Sequence, residues 1–280
     1  MNIFIVGLGL IGASYASRLT ELKHTVYGMD NNHDTTMKAL RDGCIVGNDV
    51  KYMYDADIVI IALYPEAILT FIEHHAAHFK PNQIITDVSG VKANIVSSIE
   101  HQLPASVHYV SHHPMAGKEI SGYDARDARL FDNSNAIIIK TETTDVDASI
   151  TLKTLLKAMG FTSCIMTSPD IHDSLIAHTS QLPHILAMVL VDIGRDDEVY
   201  RYTGNSFRDL TRIASINAAL WSELFLSNRE ALSAVLDDTI ESLRNFQTLI
   251  KENQVEKLIS VMTTVKEKRD RYANNSNKNI

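Results

Sequence analysis

Hydrophobic residues in the first 167 positions recur in short runs separated by amphipathic stretches. Helix-length segments, such as residues 10–22 and 66–79, lie between several of these runs. Apolar strands that alternate with helices indicate a mostly parallel sheet that is covered on both faces. The runs with the composition of buried strands are NIFIVG, TVYGMD, DIVIIAL, IITDVS, VHYVSH, NAIIIK and FTSCIM.

The pattern changes after residue 167, where apolar positions are spaced by three and four and clear strand runs are missing. This spacing is typical of amphipathic helices. We therefore predict an α/β fold with an N-terminal Rossmann-type dinucleotide-binding domain over residues 1–167, followed by an all-helical dimerisation domain over residues 168–280. Helices this apolar are difficult to bury against one Rossmann-type domain, so we expect a homodimer formed through the helical domain.

Composition, charge and the lengths of apolar runs argue against several classes of protein. The 280 residues are 45% hydrophobic and carry a formal charge of -8, and the basic residues are spread along the chain, which argues against a nucleic-acid partner. The amino terminus runs directly into a glycine-rich turn without a visible secretion signal. The longest apolar runs are shorter than the ~20 residues of a membrane helix. We expect a cytoplasmic protein with no membrane partner and no bound metal.

The first strand ends in GLGLIG, which places Gly7, Gly9 and Gly12 in the G-x-G-x-x-G spacing where a helix begins. These glycines allow a tight turn and the close approach of a pyrophosphate to the helix amino terminus. Asp30 ends the run TVYGMD, where a carboxylate can bind the ribose hydroxyls and repel a 2′-phosphate. NAD is therefore the predicted cofactor. The residues predicted to bind it are Gly7, Leu8, Gly9, Leu10, Ile11, Gly12 and Asp30.

Two polar segments follow other predicted strands. DVSGVK follows the run IIT, and SHHPMAGKEISG, which has neither helical nor strand periodicity, follows VHYV. Because strand ends of such sheets face the ligand crevice, Ser89 and Lys92 are site candidates, with a surface turn and a helix cap as the alternative. His112 and His113 are expected near the nicotinamide, where a histidine can take a proton while hydride leaves the same carbon.

These motifs resemble those of the prephenate dehydrogenase family. The matching segments, in order, are GLGLIG, DVSGVK, HPMAGKEISG, SQLPH and FRDLTRIA, with Trp221 nearby, and they span nearly the whole chain. The resemblance implies a Rossmann domain followed by a helical dimerisation domain. It also implies an enzyme of tyrosine biosynthesis that uses NAD to convert prephenate to 4-hydroxyphenylpyruvate, with release of CO2 and NADH.

The resemblance also implies roles for single residues. His113, which precedes a proline, is the implied base that binds the ring hydroxyl. Arg212 is implied to bind a substrate carboxylate, and Arg208 falls where relatives also carry a basic residue. Glu119 and His184 are the other residues implied to bind substrate.

This chain departs from the family pattern at two positions. Relatives usually read D-x-G-S-x-K where this chain has DVSGVK, so Ser89, the candidate for the catalytic serine, is displaced by one position. Gln181 stands where relatives commonly have histidine. For three other residues we expect a structural role: His172 and His178 as histidines at an interface, and Trp221 as a core residue.

Other functions stay open at this point. Arogenate dehydrogenase performs the same reaction on a substrate with an amino group in place of the side-chain keto group, and the sequence does not separate the two. An NAD-binding regulatory protein without turnover is a further alternative, against which the motif HPMAGKE beside a predicted nicotinamide site argues.

Overall fold

The computed structural model describes residues 1–194 and 197–276. The strands are β1 (Asn2–Val6), β2 (Thr25–Met29), β3 (Ile58–Ile61), β4 (Ile84–Asp87), β5 (His108–Tyr109), β6 (His112–Pro114), β7 (Asn135–Ile139) and β8 (Ser163–Thr167). The helices are α1 (Leu10–Glu21), α2 (His33–Arg41), α3 (Lys51–Asp55), α4 (Pro65–His75), α5 (Ala93–Gln102), α6 (Val146–Ala158), α7 (Pro169–Ile176), α8 (Leu182–Asp192), α9 (Asn205–Thr211), α10 (Ala218–Ser227), α11 (Arg229–Lys251) and α12 (Val255–Ser276). This order confirms the predicted α/β class with a helical second half.

The first sheet is parallel, with the strand order β2-β1-β3-β4-β5. β1 pairs with both β2 and β3, so that Ile3 lies opposite Val26 on one side and Ile58 on the other. Alternate side chains of β1 enter two different cores: Ile5 packs in the core that contains α1, and Phe4 packs in the core that contains α4 and α5. Both faces of this sheet are covered, as predicted, and the carboxyl ends of its strands share one edge.

The run VHYVSH is divided between two sheets. After the short strand β5 the chain enters a second sheet of order β6-β7-β8, in which β6 and β7 are antiparallel and β7 and β8 are parallel. The prediction that residues 111–122 contain no strand was therefore wrong for His112–Pro114. The change of sheet occurs at Ser111, whose hydroxyl donates to the buried Asp87 carboxylate while its backbone carbonyl accepts from an N–H of β7.

A buried ion pair lies between the end of β4 and the start of α5. Lys92 is fully buried, and its Nζ donates to Asp87 Oδ1 and to the His112 carbonyl, each at 2.8 Å. The other carboxylate oxygen of Asp87 accepts from the hydroxyls of Tyr109 and Ser111. Burial by itself raises the pKa of the Asp87 carboxyl, but the Lys92 charge and these hydrogen bonds outweigh burial and hold that pKa below its usual value. The pair therefore stays ionised and fixes three parts of the chain together.

Helices α7 and α8 are joined by a π-helical turn, Ala177–Gln181. The turn lies just before Pro183, which has no N–H to donate and whose ring is crowded by the preceding turn of a regular α-helix. A π-helical turn relieves this conflict and changes the rotational phase of the helix.

The helical run from Pro169 to Asp192 is 24 residues long and contains a window of mean hydropathy 1.4, so it has the length and composition of a membrane-spanning helix. The sequence prediction counted only unbroken apolar runs, and this helical run contains polar residues between its apolar ones. Polar side chains of the run bond to other parts of the fold. Asp173 accepts from the backbone N–H groups of Lys92 and Ala93, and Gln181 donates to the carbonyl of Leu224 in α10. These contacts pack the run into the same folded unit as the sheets.

Internal contacts divide the chain into two compact units. The first, Met1–Asn228, contains both sheets and helices α1 to α10. The second begins at Arg229, and in it α11 packs against α12. The boundary predicted after residue 167 falls inside the first unit and stays a prediction from the sequence pattern.

We expect Lys92→Met to lower the free energy of unfolding by about 3–5 kcal/mol, because the Asp87 carboxylate would stay buried without its counter-charge. Chemical denaturation followed by circular dichroism measures this change. Lys38→Met is the matched control, because Lys38 also lies 2.8 Å from a carboxylate, that of Asp124, but at the surface. Its loss should be much smaller than that of Lys92→Met, because solvent screens an exposed pair. Equal losses in the two variants would contradict the role of the buried pair.

Candidate active site

The carboxyl edge of the parallel sheet opens into a cavity of about 690 Å³, a size typical of small-molecule sites. Its walls are the glycine turn before α1, the loops after β3 and β4, the segment that follows β6, and parts of α8 and α10. All of these belong to the first compact unit. The predicted site residues that line the cavity are Gly9, Leu10, Ile11, Gly12, Ser89, His113, Glu119 and His184.

The three motif glycines lack a side chain for different reasons. Gly7 has a φ of +88°, and a β-carbon there would lie 2.5 Å from the Ala62 carbonyl oxygen. A β-carbon on Gly12 would overlap the Gly7 carbonyl oxygen. Gly9 has nothing within 4 Å of the place a β-carbon would take, yet it lines the cavity. Within the part of the chain that the structure describes, no atom requires a glycine at this position, so the bare backbone of Gly9 leaves a space that fits a pyrophosphate at the amino end of α1.

Asp30 lies beside this turn, as predicted. Its Oδ2 accepts from the Leu8 N–H at 2.7 Å, and its Oδ1 accepts from the Asn32 N–H at 2.9 Å. Among the described residues, no side chain caps the amino end of α1 and no acidic residue lies in its first turn. The helix end therefore keeps the positive potential that suits a phosphate, while the carboxylate lies one strand away. This arrangement fits a dinucleotide whose ribose hydroxyls approach Asp30.

His113 lines the cavity and is joined to the start of α7. Its Nδ1 lies 2.9 Å from His172 Nε2, and His172 Nδ1 lies 2.6 Å from Asp173 Oδ1. The same carboxylate accepts from the backbone N–H groups of Lys92 and Ala93 at the amino end of α5. Burial lowers the pKa of His113 well below its usual value, and the neighbouring His172 and Lys92 lower it further. His113 is therefore neutral near pH 7 and able to accept a proton.

His112 points away from the cavity. Its ring is fully buried, with Nε2 2.7 Å from the Tyr15 hydroxyl oxygen and Nδ1 2.7 Å from the Thr86 hydroxyl oxygen. Burial lowers the pKa of His112 to about 3, and the Lys92 charge adds to the effect. The prediction that both histidines lie near the nicotinamide was therefore wrong for His112, because successive side chains of a strand point to opposite faces.

Ser89 lines the cavity, but its hydrogen bonds are local. Its N–H donates to Asp87 Oδ1, and its hydroxyl oxygen accepts from the Val91 N–H at 3.4 Å. The next residue, Gly90, faces the base, since a β-carbon on Gly90 would lie 3.7 Å from His113 Nε2. Gly90 and His113 both line the cavity, and since His113 Nδ1 is bonded to His172, Nε2 is the ring nitrogen left for a ligand in the cavity. The catalytic role of Ser89 stays a prediction.

Glu119 and Arg212 form an ion pair at the wall of the cavity. Arg212 Nη1 donates to Glu119 Oε1, which joins the segment after β6 to the short helical turn after α9. The Arg212 side chain is 64% exposed, so a ligand carboxylate can reach its other N–H groups. Glu119 lines the cavity that contains His113, and Arg212, which is not among the described lining residues, is joined to that wall through Glu119. The role of Arg212 in binding a substrate carboxylate stays a prediction.

His184 and Trp221 stack on each other with their ring centroids 3.8 Å apart, and both line the cavity. His184 Nδ1 lies 2.8 Å from the Ser180 carbonyl oxygen, which can only accept, so Nδ1 carries the hydrogen. Burial lowers the pKa of His184, which favours a neutral ring with Nε2 as an acceptor. The interpretation of Trp221 as a core residue was wrong.

Arg208 and Gln181 make structural contacts. Arg208 is exposed and donates to the Thr203 carbonyl, and it is not among the described residues that line the cavity. Its role in substrate binding stays a prediction. Gln181 joins the π-helical turn to α10, since its Nε2 donates to the Leu224 carbonyl and its Oε1 accepts from the Asn228 side chain.

Two family models match the chain. The model described as prephenate dehydrogenase, nucleotide-binding domain, matches residues 15–164, and the model described as prephenate dehydrogenase, dimerization domain, matches residues 168–264. The chain belongs to the prephenate dehydrogenase family. The resemblance read from the motifs is therefore confirmed, and so is the predicted fold of a Rossmann-type domain followed by a helical dimerisation domain.

Members of the prephenate dehydrogenase family are similar to this chain over nearly its full length. Prephenate dehydrogenase of Bacillus subtilis (strain 168) is 32% identical over an alignment of 281 positions, which covers 96% of this chain and 75% of the relative. The crystal structure of prephenate dehydrogenase from A. aeolicus in complex with hydroxyphenyl propionate and NAD+ has a TM-score of 0.87 at 28% identity, and covers 96% of this chain and 97% of that chain. Synechocystis arogenate dehydrogenase has a TM-score of 0.83 at 28% identity, with coverages of 97% and 100%. The A. aeolicus structure contains NAD+, and residues 15–164 of this chain match the nucleotide-binding domain of a dehydrogenase family.

Sequence reasoning missed the contact between His172 and the predicted base. His172 was interpreted as an interface histidine, but it is buried and bonded to His113. A signal was present in SPDIHD, which places a histidine and an aspartate together in the first turns of a capped helix. Its partner lies 59 residues earlier in the chain, and no local pattern shows such a contact.

We expect the stability of this family member to depend on pH through His112. The folded pKa is about 3 and the unfolded value is near ~6.5, so the unfolded chain takes up a proton below pH ~6.5 while the folded chain does not. The free energy of unfolding therefore falls as the pH falls through this window. In His112→Gln this contribution is absent, so the stability difference between wild type and variant should shrink by about 2 kcal/mol between pH 7 and pH 5. Urea denaturation at the two pH values measures it, and a constant difference would contradict the assignment.

Proposed function

We propose that this chain is an NAD-dependent prephenate dehydrogenase. It oxidises and decarboxylates prephenate to 4-hydroxyphenylpyruvate, with release of CO2 and NADH, as a step in tyrosine biosynthesis. The observation that carries the proposal is the position of the neutral His113, which lines one cavity together with the glycine turn and with Glu119, the ion-pair partner of Arg212. One cavity thus combines a dinucleotide site and a base, and a carboxylate receptor adjoins its wall.

The chemistry needs little covalent work from the protein. NAD+, when bound, supplies the hydride acceptor. His113 Nε2 takes the proton of the ring hydroxyl as hydride leaves the same carbon. The bond to the ring carboxylate then breaks, CO2 leaves, and its electron pair makes the ring aromatic as a phenolate. The proton returns from His113 to the phenolate oxygen, so the base is regenerated and no net proton is released. The protein must align the hydroxyl-bearing carbon and keep the base neutral beforehand.

Substrate orientation is assigned to the other end of the cavity. Arg212 binds the carboxylate of the pyruvyl side chain, since its planar fork matches two oxygens. His184 lines the cavity with its ring held against Trp221, and its Nε2 is the nitrogen not used in the bond to Ser180. Ser89 and Arg208 are further candidates for contact with the substrate. Ser89 is a candidate because it lines the cavity, and Arg208 because of the family pattern alone.

Arogenate dehydrogenase is the second candidate function. Arogenate carries an ammonium group beside the side-chain carboxylate, and Glu119 places a negative charge beside Arg212. An ammonium and a carboxylate on adjacent atoms match such a pair of opposite charges. The similarity to Synechocystis arogenate dehydrogenase supports testing this substrate alongside prephenate.

We also propose that the enzyme works as a cytoplasmic homodimer. Helices α7 to α10 expose large apolar side chains that a partner copy would cover, namely Leu175, Val189, Val191, Leu210 and Leu226. The match of residues 168–264 to a dimerization domain supports the same arrangement. Sedimentation of a monomer at micromolar concentration would contradict it.

The purified chain should form NADH when mixed with prephenate and NAD+, as followed by absorbance. The same assay with arogenate, and with NADP+ in place of NAD+, separates the two candidate substrates and tests the discrimination assigned to Asp30. Turnover of arogenate alone would replace the first candidate with the second. NADH binding without turnover of either substrate would favour a regulatory protein and remove both.

We expect His113→Asn to lower kcat by ~10²–10⁴, because asparagine keeps a hydrogen bond at this position but cannot take the proton. The affinity for NADH, measured by fluorescence titration, should not change, since His113 has no part in the glycine turn. The exposed His101, bonded to a carbonyl of its own helix, provides the control variant His101→Asn. An unchanged kcat in the His113 variant would remove this residue from the role of base.

For Arg212→Ala we expect the main effect on KM. A hydrogen bond between a charged donor and a carboxylate contributes about 1.5–3 kcal/mol, which corresponds to a rise in KM of roughly 10- to 100-fold. Arg212→Lys should show an intermediate KM, because it keeps the charge but loses the fork. Arg129→Ala, which removes an exposed arginine elsewhere in the fold, is the control. A loss confined to kcat would contradict the assignment of Arg212 to carboxylate binding.

A further inference from the structure

When both histidines are neutral, the hydrogen-bond chain behind His113 has one arrangement of protons that satisfies every partner. It runs from His113 Nδ1 to His172 Nε2 over 2.9 Å, and from His172 Nδ1 to Asp173 Oδ1 over 2.6 Å. Each ring nitrogen in this chain either donates or accepts, and a neutral histidine carries a hydrogen on one nitrogen alone. Whether Asp173 donates or accepts therefore determines which nitrogen of each histidine carries the hydrogen.

Asp173 determines the direction of the chain. Its carboxylate accepts the backbone N–H groups of Lys92 and Ala93, which are the first N–H groups of α5. An ionised carboxylate in this place is favoured by the amino end of the helix and has no hydrogen to donate. His172 Nδ1 must consequently be the donor in the contact with Oδ1.

His172 is 1% exposed, and it is neutral because burial lowers its pKa against the opposing effect of the Asp173 hydrogen bond. With the hydrogen on Nδ1, its Nε2 carries a lone pair and can only accept. His113 Nδ1 must then carry a hydrogen and donate it. What is left on His113 is the lone pair of Nε2, the ring nitrogen left for a ligand in the cavity.

We propose that His172, oriented by Asp173, is a positioning residue that holds His113 in the Nδ1–H tautomer, so that Nε2, the nitrogen not bonded to His172, is always free to take a proton. The kinetic part of this proposal rests on the proposed function, and the tautomer itself does not. A free imidazole exchanges between two tautomers, and the Nε2–H form cannot act as a base toward the cavity. His172 also accepts the Nδ1 hydrogen more strongly once His113 is protonated, which stabilises the charged state formed during the reaction.

Two substitutions separate this role from simple packing. In His172→Gln the side-chain oxygen reaches about as far as Nε2 and can accept the hydrogen of His113 Nδ1. His172→Leu fills the space with a side chain that has no acceptor. In both variants Asp173 keeps its bonds to Lys92 and Ala93. His101→Leu, at the exposed end of α5, is the control for replacing a histidine by leucine.

The first readout is the tautomer of His113, from the nitrogen shifts and two-bond proton couplings of histidine-labelled protein, assigned with His113→Asn. We expect the Nδ1–H pattern in wild type and in His172→Gln, and a mixture or the Nε2–H pattern in His172→Leu. This measurement needs no substrate, so its outcome is independent of the proposed function. An Nε2–H pattern in wild type, or an unchanged Nδ1–H pattern in His172→Leu, would overturn the proposal.

The second readout is kinetic. We expect His172→Leu to lower kcat by about 10- to 100-fold with KM and NADH affinity unchanged, and His172→Gln to keep most of the activity. Equal losses in the Gln and Leu variants would assign His172 to packing and overturn the proposal. If His172→Leu does not fold, as judged by circular dichroism, the wild-type tautomer and the His172→Gln kinetics still decide. Absence of turnover in wild type would count against the proposed function, while the tautomer measurement would continue to test His172.

Discussion

The contact between Lys92 and Asp87 is the constraint on which the site depends. Two charges enclosed without water must lie close together and be hydrogen-bonded, and this pair meets that requirement by binding the Tyr109 hydroxyl and the His112 carbonyl as well. As a result, the end of β4, the start of α5 and the strand β6 are held in one arrangement. The imidazole of His113 extends from the residue just after the bonded carbonyl, so its backbone has little freedom to move relative to the cofactor side of the cavity.

Asp173 makes the corresponding connection from the helical side. Its carboxylate binds the amino end of α5, and the same group orients His172 against the predicted base. Asn228, at the end of α10, donates to the Asp173 carbonyl, and the Gln181 amide oxygen accepts a second hydrogen from the same side chain. The first helices after β8 are therefore joined to the sheet beside the place where the base stands. The predicted substrate-binding residues on those helices and the glycine turn at the end of β1 are therefore linked through hydrogen bonds within one compact unit.

The parts of the site that depend on local spacing could be predicted from the sequence. The glycine turn needs three glycines, a strand and a helix, and Asp30 needs only the end of the next strand, so both were placed correctly. His113 and Glu119 were assigned from a motif specific to one family, and the structure brings both to the same cavity.

The features that were missed depend on distant partners. The chain changes sheet at Ser111 because of a carboxylate 24 residues earlier, and His172 finds its partner across 59 residues. Strand periodicity is also difficult to recognise in a three-residue strand such as β6, where it would have shown that His112 and His113 face opposite ways. These features are determined by the pairing of buried polar side chains rather than by local secondary-structure propensity.

The ion pair of Arg212 with Glu119 affects how anions are selected. The guanidinium already has a protein carboxylate as its neighbour, so this end of the cavity projects little net positive field into solution. Phosphates and other abundant anions are therefore not concentrated there by long-range attraction. An anion binds favourably only when it comes within hydrogen-bonding distance of Arg212 and shares or replaces the Glu119 carboxylate. Shape and contact geometry, rather than charge alone, therefore determine which molecules are retained.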